Sequence, residues 1–272
     1  MPDSPAAQRP SLTALLMTFN GERLLDQCLS SISFCDRLLL IDSGSTDATG
    51  EIAARYGAEI VFNPWPGPKA QLEFGLARIS SGWVFIMDQD EICSSSLAAS
   101  IKTTIAEPDA LPCHYAPRRS WYYNRFLTHG GWYPDRLLRL FKAGAAELRQ
   151  SGAHESIHPL APTGHLQGDL LHYPYENFFN HLQKINAYAQ AGAQDLGRQN
   201  RRGGIAAGLA HAHARFLKIY FLKLGLLDGR AGFINAVHAA FYAFLKYVRI
   251  NEGAWGTPYN TLTNDPDPEN PQ

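Results

Sequence analysis

Through the first hundred residues, short unbroken apolar runs alternate with segments whose apolar residues recur at three-to-four spacing. Residues 12–18 and 37–41 have the length and content of buried strands, and 59–62 and 83–87 read as two further strands. Between them, Leu24, Leu25, Cys28, Leu29 and Ile32 mark one helix, and Leu72, Leu76 and Ile79 another. Ile52 and Tyr56 belong to a helix capped by Thr46 or Asp47, and Leu97 and Ile101 to one starting at Ser94 or Ser95. Strands alternating with helices predict an α/β fold: a Rossmann-like, mostly parallel sheet with helices on both faces. Ligands of such sheets sit at the carboxyl ends of the strands.

The pattern then changes. Residues 113–123, 136–141 and 166–173 read as strands separated by loops rich in Gly, Pro and aromatics, extending the sheet to complete the site. Residues 177–196, 211–227 and 233–250 read as helices, the last two joined by Asp228-Gly229-Arg230. On the final helix Asn235, His238, Tyr242, Lys246 and Arg249 form one narrow polar stripe on an otherwise apolar surface. That stripe reads either as a solvated face or as part of an amphipathic surface anchor.

Composition adds bounds. The chain has 272 residues, 45% hydrophobic and 18% charged, which suits a globular protein with a real core. Its formal net charge of -1 argues against a nucleic-acid partner. The bulk value hides an asymmetry. Residues 198–250 hold nine Lys/Arg and one acid, Asp228, for a net of +8, so the remainder stands at -9. Cys28, Cys35, Cys93 and Cys113 form no CxxC pair and read as reduced thiols of a cytosolic protein. Residues 1–10 show no export signal, and no apolar run reaches the roughly 18 to 20 residues of a spanning helix. Residues 1–10 and 258–272 read as flexible tails.

Asp88-Gln89-Asp90-Glu91 ends the fourth strand. Residues two apart in extended chain point the same way, so Asp88 and Asp90 can offer two carboxylates to one hard cation. Asp42-Ser43-Gly44-Ser45-Thr46-Asp47 follows the second strand, with a glycine for a tight turn and small hydroxyls for a ligand or a helix cap. Neither GxGxxG nor GxxxxGK[ST] is present, against a dinucleotide site and a P-loop.

Thr18-Phe19-Asn20, Asp42 to Asp47 and Asp88 to Glu91 thus lie on one edge of one sheet. Their order and spacing resemble glycosyltransferase family 2, which has the GT-A fold. Trp65 to Gln71, His154-Glu155, Leu171-His172-Tyr173 and Leu224 to Gly232 further resemble its lipopolysaccharide inner-core β-glucosyltransferase subgroup. The departures are Gln89, where that subgroup has a small residue, and Gly21 placed between Asn20 and Glu22.

That resemblance implies an inverting, metal-dependent enzyme. It would move a hexose, such as glucose from a UDP-sugar, to a lipid-linked saccharide such as the lipopolysaccharide core. Thr18, Asn20, Glu22, Asp42, Ser43, Gly44, Lys69, Gln71, Asp88, Gln89 and Arg139 would hold the nucleotide-sugar. Asp88, Asp90 and His172 would hold Mg²⁺ or Mn²⁺. Glu155 is the first choice of general base, with Asp135 and Glu91 behind it. Trp121, Tyr122, Tyr123, Trp132 and Tyr133 flank the Gly130-Gly131 loop and suit sugar stacking or core packing. The catalytic domain would span 11–175, its nucleotide-sugar half 11–110 and its acceptor half 111–175. A membrane-associating helical region would span 176–253, placing the enzyme peripherally on the inner face of the cytoplasmic membrane, against anionic lipid. A polyprenyl-phosphate sugar synthase and a non-catalytic nucleotide-sugar or carbohydrate binder are the competing readings.

Overall fold

The computed structural model describes residues 10–151 and 154–255. The expected tails fall outside that range, Pro10 apart.

A ten-stranded sheet organises the chain. Its first half comprises β1 (Leu12–Thr18), β2 (Arg37–Asp42), β3 (Glu59–Phe62) and β4 (Trp83–Asp88), connected by α1 (Leu25–Ser31), α2 (Thr49–Arg55) and α3 (Pro68–Leu76). These strands run parallel in the order β3-β2-β1-β4. β1, β2 and β4 carry near-continuous buried apolar runs because both of their faces are covered, whereas β3 is the edge strand and is largely exposed. Leu12, Leu16, Leu40, Phe85 and Met87 pack under α1, α2 and α4 (Ser95–Ala106). The alternate residues Leu15, Leu39, Ile41, Val84 and Ile86 pack under α3. The fold class is the α/β architecture expected from the pattern.

Beyond β4 the same sheet becomes mixed. Its further strands are β5 (Glu91–Cys93), β6 (Cys113–Tyr122), β7 (Arg125–Phe126), β8 (Asp135–Lys142), β11 (Thr163–His165) and β12 (Leu170–His172). The order continues β4-β8-β6-β12-β5, with β7 and β11 also on β6. The run at 166–173 is thus not one strand. β9 (Ala146–Ser151) and β10 (His154–Pro159) form a separate antiparallel hairpin that the sequence pattern does not announce.

The helical part holds α5 (Phe178–Arg198), α6 (Ile205–Leu217) and α7 (Gly229–Val248). Asn177 caps α5, its side chain accepting from Asn180 N at 3.0 Å. The helix expected over 211–227 differs: α6 starts six residues earlier and widens into a π turn, Lys218–Leu222. Leu224 then takes a left-handed φ of 55° and a 3₁₀ turn, Gly225–Asp228, leads into α7. A 3₁₀ segment, Arg249–Trp255, follows α7. Gly232 is required here, since a Cβ on it would collide with the carbonyl of Gly225.

The polar stripe of α7 faces inward. Asn235 is buried, and His238 and Tyr242 line a cleft against the sheet. Arg249 donates to the Asn186 carbonyl at 2.7 Å. The exposed side of this region is apolar instead: Leu222, Leu224, Leu227, Phe233, Val237 and Phe241 all face out. The solvated-stripe reading of α7 is therefore corrected. No helix among the described residues is long and apolar enough to cross a membrane.

Contacts to the sheet and to its β7–β8 loop hold the helices in place. Tyr122 of β6 places its hydroxyl 3.0 Å from His181 Nδ1 of α5 and 2.7 Å from His238 Nδ1 of α7. Asp228, the lone acid of the basic segment, is buried and accepts from Thr128 N at 3.3 Å and His129 N at 2.8 Å. It thereby fixes the loop that leads into Gly130, Gly131 and Asp135.

Candidate active site

The carboxyl ends of β1, β2 and β4 lie side by side, Thr18 opposite Asp42 and Met17 opposite Asp88. Parallel pairing alone thus gathers the three motifs onto one edge.

Asp42 organises the loop after β2. Its carboxylate accepts from Gly44 N at 2.9 Å, Ser45 N at 2.8 Å and Thr18 Oγ1 at 3.2 Å. Burial raises its pKa, but these hydrogen bonds outweigh burial and leave it lowered. The group reaching the cleft from this loop is Ser43, braced by Gln71 Nε2 at 3.1 Å. Gln71 itself is fully buried. Asn20 and Glu22 knit the β1 and β2 loops together, accepting from Thr46 N and Ala48 N at 2.9 and 3.2 Å. Lys69 is ion-paired to Glu73 along α3 rather than among the cleft-lining side chains.

Gln89 pairs with Phe19 like a short strand, accepting from its N at 2.9 Å and donating to its O at 3.0 Å. A Cβ on Gly21 would stand 2.6 Å from Gln89 Oε1. The two departures from the subgroup pattern are therefore one feature: Gly21 makes room for the Gln89 amide.

Below the edge lies a buried charge cluster. Arg139 of β8 donates through Nη2 to Asp88 Oδ2 and Glu91 Oε1, both at 2.8 Å. Glu91 is fully buried, and its other oxygen accepts from Asp88 N at 3.0 Å. Burial pushes the Glu91 carboxyl up to about 7 against the pull of Arg139. Glu91 thus props Asp88 from beneath, with no oxygen open to an acceptor. Asp88 is raised by burial and lowered further by Arg139, leaving it below the usual carboxylate value.

Arg118 of β6 went unmarked in the sequence. Its Nε and Nη2 donate to Asp135 Oδ2 at 3.0 and 2.7 Å, and its Nη1 lies 3.8 Å from Asp88 Oδ2. It bridges Asp88 of β4 to Asp135 of β8.

Ser120 Oγ lies 3.0 Å from His172 Nδ1, and His172 Nε2 lies 3.7 Å from Asp90 Oδ1. Burial first, and Arg118 second, push His172 down to about 3, so its ring is neutral. The Ser120 contact orients the ring so that Nε2 faces the Asp90 carboxylate. The Asp90 pKa is raised by burial and by Asp88. Among the described residues no three His, Cys, Asp or Glu side chains are grouped to hold a metal ion. Of the expected ligands, Asp90 and His172 face each other and Asp88 lines the same cleft while paired to Arg139, so carboxylate and neutral imidazole are the groups that could hold a cation. That suits a hard cation which completes its shell with water and substrate phosphate.

These groups line a cleft of about 840 Å³, together with Trp132, Asp135 and Lys184. It adjoins a larger cleft of about 1170 Å³ that shares Asp88, Arg118 and Trp132 and runs to α5, α6 and α7. Ser156 and Ile157 of β10 line the larger cleft, just after Glu155 in the strand. The side chains of His154 and Glu155 lie outside the described residues. Of the five loop aromatics, Trp132 lines both clefts, whereas Trp121 packs edge-on to Phe126, Tyr122 is buried, Tyr123 stacks on Phe178 and Tyr133 lies under Arg119.

Residues 13–157 match the model of "Glycosyl transferase family 2". The chain belongs to this family. It is a glycosyltransferase. A relative from Rhizobium meliloti, named lipopolysaccharide core biosynthesis glycosyltransferase LpsC, is 28% identical over 88% of this chain and 91% of its own. An uncharacterized glycosyltransferase of Rickettsia typhi is 25% identical over 89% of this chain and 87% of its own. Among solved structures, glucosyl-3-phosphoglycerate synthase from Mycobacterium tuberculosis, in complex with Mn²⁺ and UDP, shares 26% identity. That likeness covers 42% of this chain and 44% of that one, with a TM-score of 0.33.

Proposed function

We propose that this glycosyltransferase moves a hexose, with inversion, from a UDP-sugar to a lipid-linked saccharide at a membrane surface. The observation that carries this reading is the continuous pair of clefts. One is bordered by Asp88, Asp90 and Ser43 at the sheet edge, the other by the inward polar stripe of α7. The outward apolar side of the same helices supports a membrane location, since lipid is the medium in which such a face is covered. The named role of the Rhizobium meliloti relative supports a lipopolysaccharide-core acceptor.

Thr18, Ser43 and Gln89 border the donor end, and Asp88 is held there in ionised form by Arg139. Asp90 and His172 would hold Mg²⁺ or Mn²⁺. When bound, that ion supplies charge neutralisation for a departing diphosphate. Glu155 would take the proton of the acceptor hydroxyl, with Asp135 holding Arg118 beside Asp88.

Labelled UDP-glucose incubated with truncated lipopolysaccharide tests this. Transfer is expected with Mn²⁺ or Mg²⁺ and not in Asp90→Ala. If no nucleotide-sugar gives transfer, or thermal stabilisation of the protein, the reading fails. Transfer to a polyprenyl phosphate, unaffected by Glu155→Gln, would assign the synthase activity instead.

A further inference from the structure

A pocket of about 200 Å³ opens on the α6–α7 face, lined by His211, Arg215, Lys218, Tyr242, Lys246 and Tyr247 among others. Arg215, Lys218 and Tyr242 also line the larger cleft, so the two spaces share a wall. Arg215 and Lys218 sit one turn apart at the end of α6. Lys246 comes from α7, its ammonium 5.5 Å from the Tyr242 ring and 5.4 Å from the Tyr247 ring. His211 stacks on Tyr247 with centroids 3.8 Å apart and planes 4° from parallel.

Three cations therefore converge on a pocket whose lining includes no carboxylate. The acid facing this region from α5 is Asp195, which lines the larger cleft and pairs with Arg198 at 3.3 Å. Burial lowers the Lys246 pKa and Arg215 lowers it further, so the two cations repel each other in the free protein. An anion seated between them relieves that repulsion and collects charge-assisted hydrogen bonds. Burial keeps the Tyr242 hydroxyl protonated, and so able to donate.

We propose that this pocket binds a phosphate substituent of the acceptor saccharide, while the acceptor's reacting hydroxyl lies in the larger cleft. The proposal rests on the larger cleft being the acceptor site. The same chemistry could be met by a phospholipid headgroup, and the experiment separates the two sources.

The probes are inorganic phosphate and a delipidated lipopolysaccharide-core oligosaccharide, phosphorylated or dephosphorylated. Calorimetry should show the wild type binding the phosphorylated form roughly 10- to 100-fold more tightly. Arg215→Gln/Lys218→Gln and Lys246→Gln should lose most of that preference. Equal binding of the two forms by the wild type, or an undiminished preference in the variants, overturns the proposal. So does a variant defect confined to phosphatidylglycerol vesicles, which would assign the pocket to headgroups. Inorganic phosphate should also shift the His211 imidazole NMR signal in the wild type and not in the double variant. That arm needs no turnover: a shift without any sugar transfer leaves the anion pocket standing and sinks the proposed donor and acceptor, whereas no shift at millimolar phosphate sinks the pocket.

Discussion

The side-chain amide of Gln89 fills the space that a Cβ on Gly21 would enter, and from there pairs at two points with Phe19. This ties the loop after β1 to the Asp88–Asp90 turn. Gly21→Ala should therefore push Gln89 off Phe19 and raise the KM for the nucleotide-sugar several-fold. Gln89→Ala should cost less, because it vacates the space. In the double variant the penalty of the alanine at 21 should shrink, giving a coupling of about 0.5–3 kcal/mol in a double-mutant cycle. Strict additivity would show that the two positions act separately.

Asp135 and Glu155 are expected to fail differently. Glu155→Gln should lower kcat by about 10²- to 10⁴-fold with little change in donor KM, the pattern of a lost general base. Asp135→Asn removes the partner that holds Arg118 near Asp88, so its effect should include a raised donor KM. Steady-state kinetics with donor varied at fixed acceptor reads the difference. The opposite result, a pure kcat loss in Asp135→Asn and near-normal Glu155→Gln, would move the base to Asp135.

β1, β2 and β4 of the parallel half were readable because strands covered on both faces leave near-continuous apolar runs between turn residues, while the exposed edge strand β3 was readable as a short β-branched and aromatic run. Thr18, Asp42 and Asp88 followed from that, since parallel pairing brings strand ends together. Arg118 was not readable: a lone arginine in a strand has no local signature, and its importance comes from β8 and β5 bringing Asp135 and Glu91 to it. The hairpin β9–β10 has too few apolar residues to announce itself. At Leu224 a leucine adopts a left-handed conformation within a helical pattern, so the turn was placed at Asp228-Gly229-Arg230 rather than at Leu224, where the helix breaks. Periodicity separated the two faces of α7 but could not say which one faces inward.

Tyr122, His181 and His238 should make the helical region acid-labile. Burial, and then His238, push His181 down to about 4, and burial lowers His238 as well. A depressed histidine pKa means that the unfolded chain takes up the proton first. The stability from this cluster is thus complete above pH 6.5 and is lost as pH falls from there toward 4, with up to about two protons taken up on unfolding. Thermal unfolding across that range should show a slope that Tyr122→Phe leaves in place and His181→Gln reduces. An unchanged slope in His181→Gln would remove the histidine from this account.

The outward apolar surface predicts a separation between lipid binding and stability. Leu222 is 79% exposed and Leu227 55%, so neither contributes much to the folded core. Leu222→Ser/Leu227→Ser should leave the melting temperature nearly unchanged. On a bilayer each leucine would bury its side chain for about 1.5–3 kcal/mol, so the pair should lower vesicle partitioning by at least roughly 100-fold. Arg230 is exposed in the same region, and a basic residue near an anionic surface adds about 1 kcal/mol. Binding should therefore be stronger to phosphatidylglycerol than to phosphatidylcholine vesicles and should weaken with salt. Cosedimentation that is equal for wild type and double variant, or absent for both, would mean that something other than lipid covers this face.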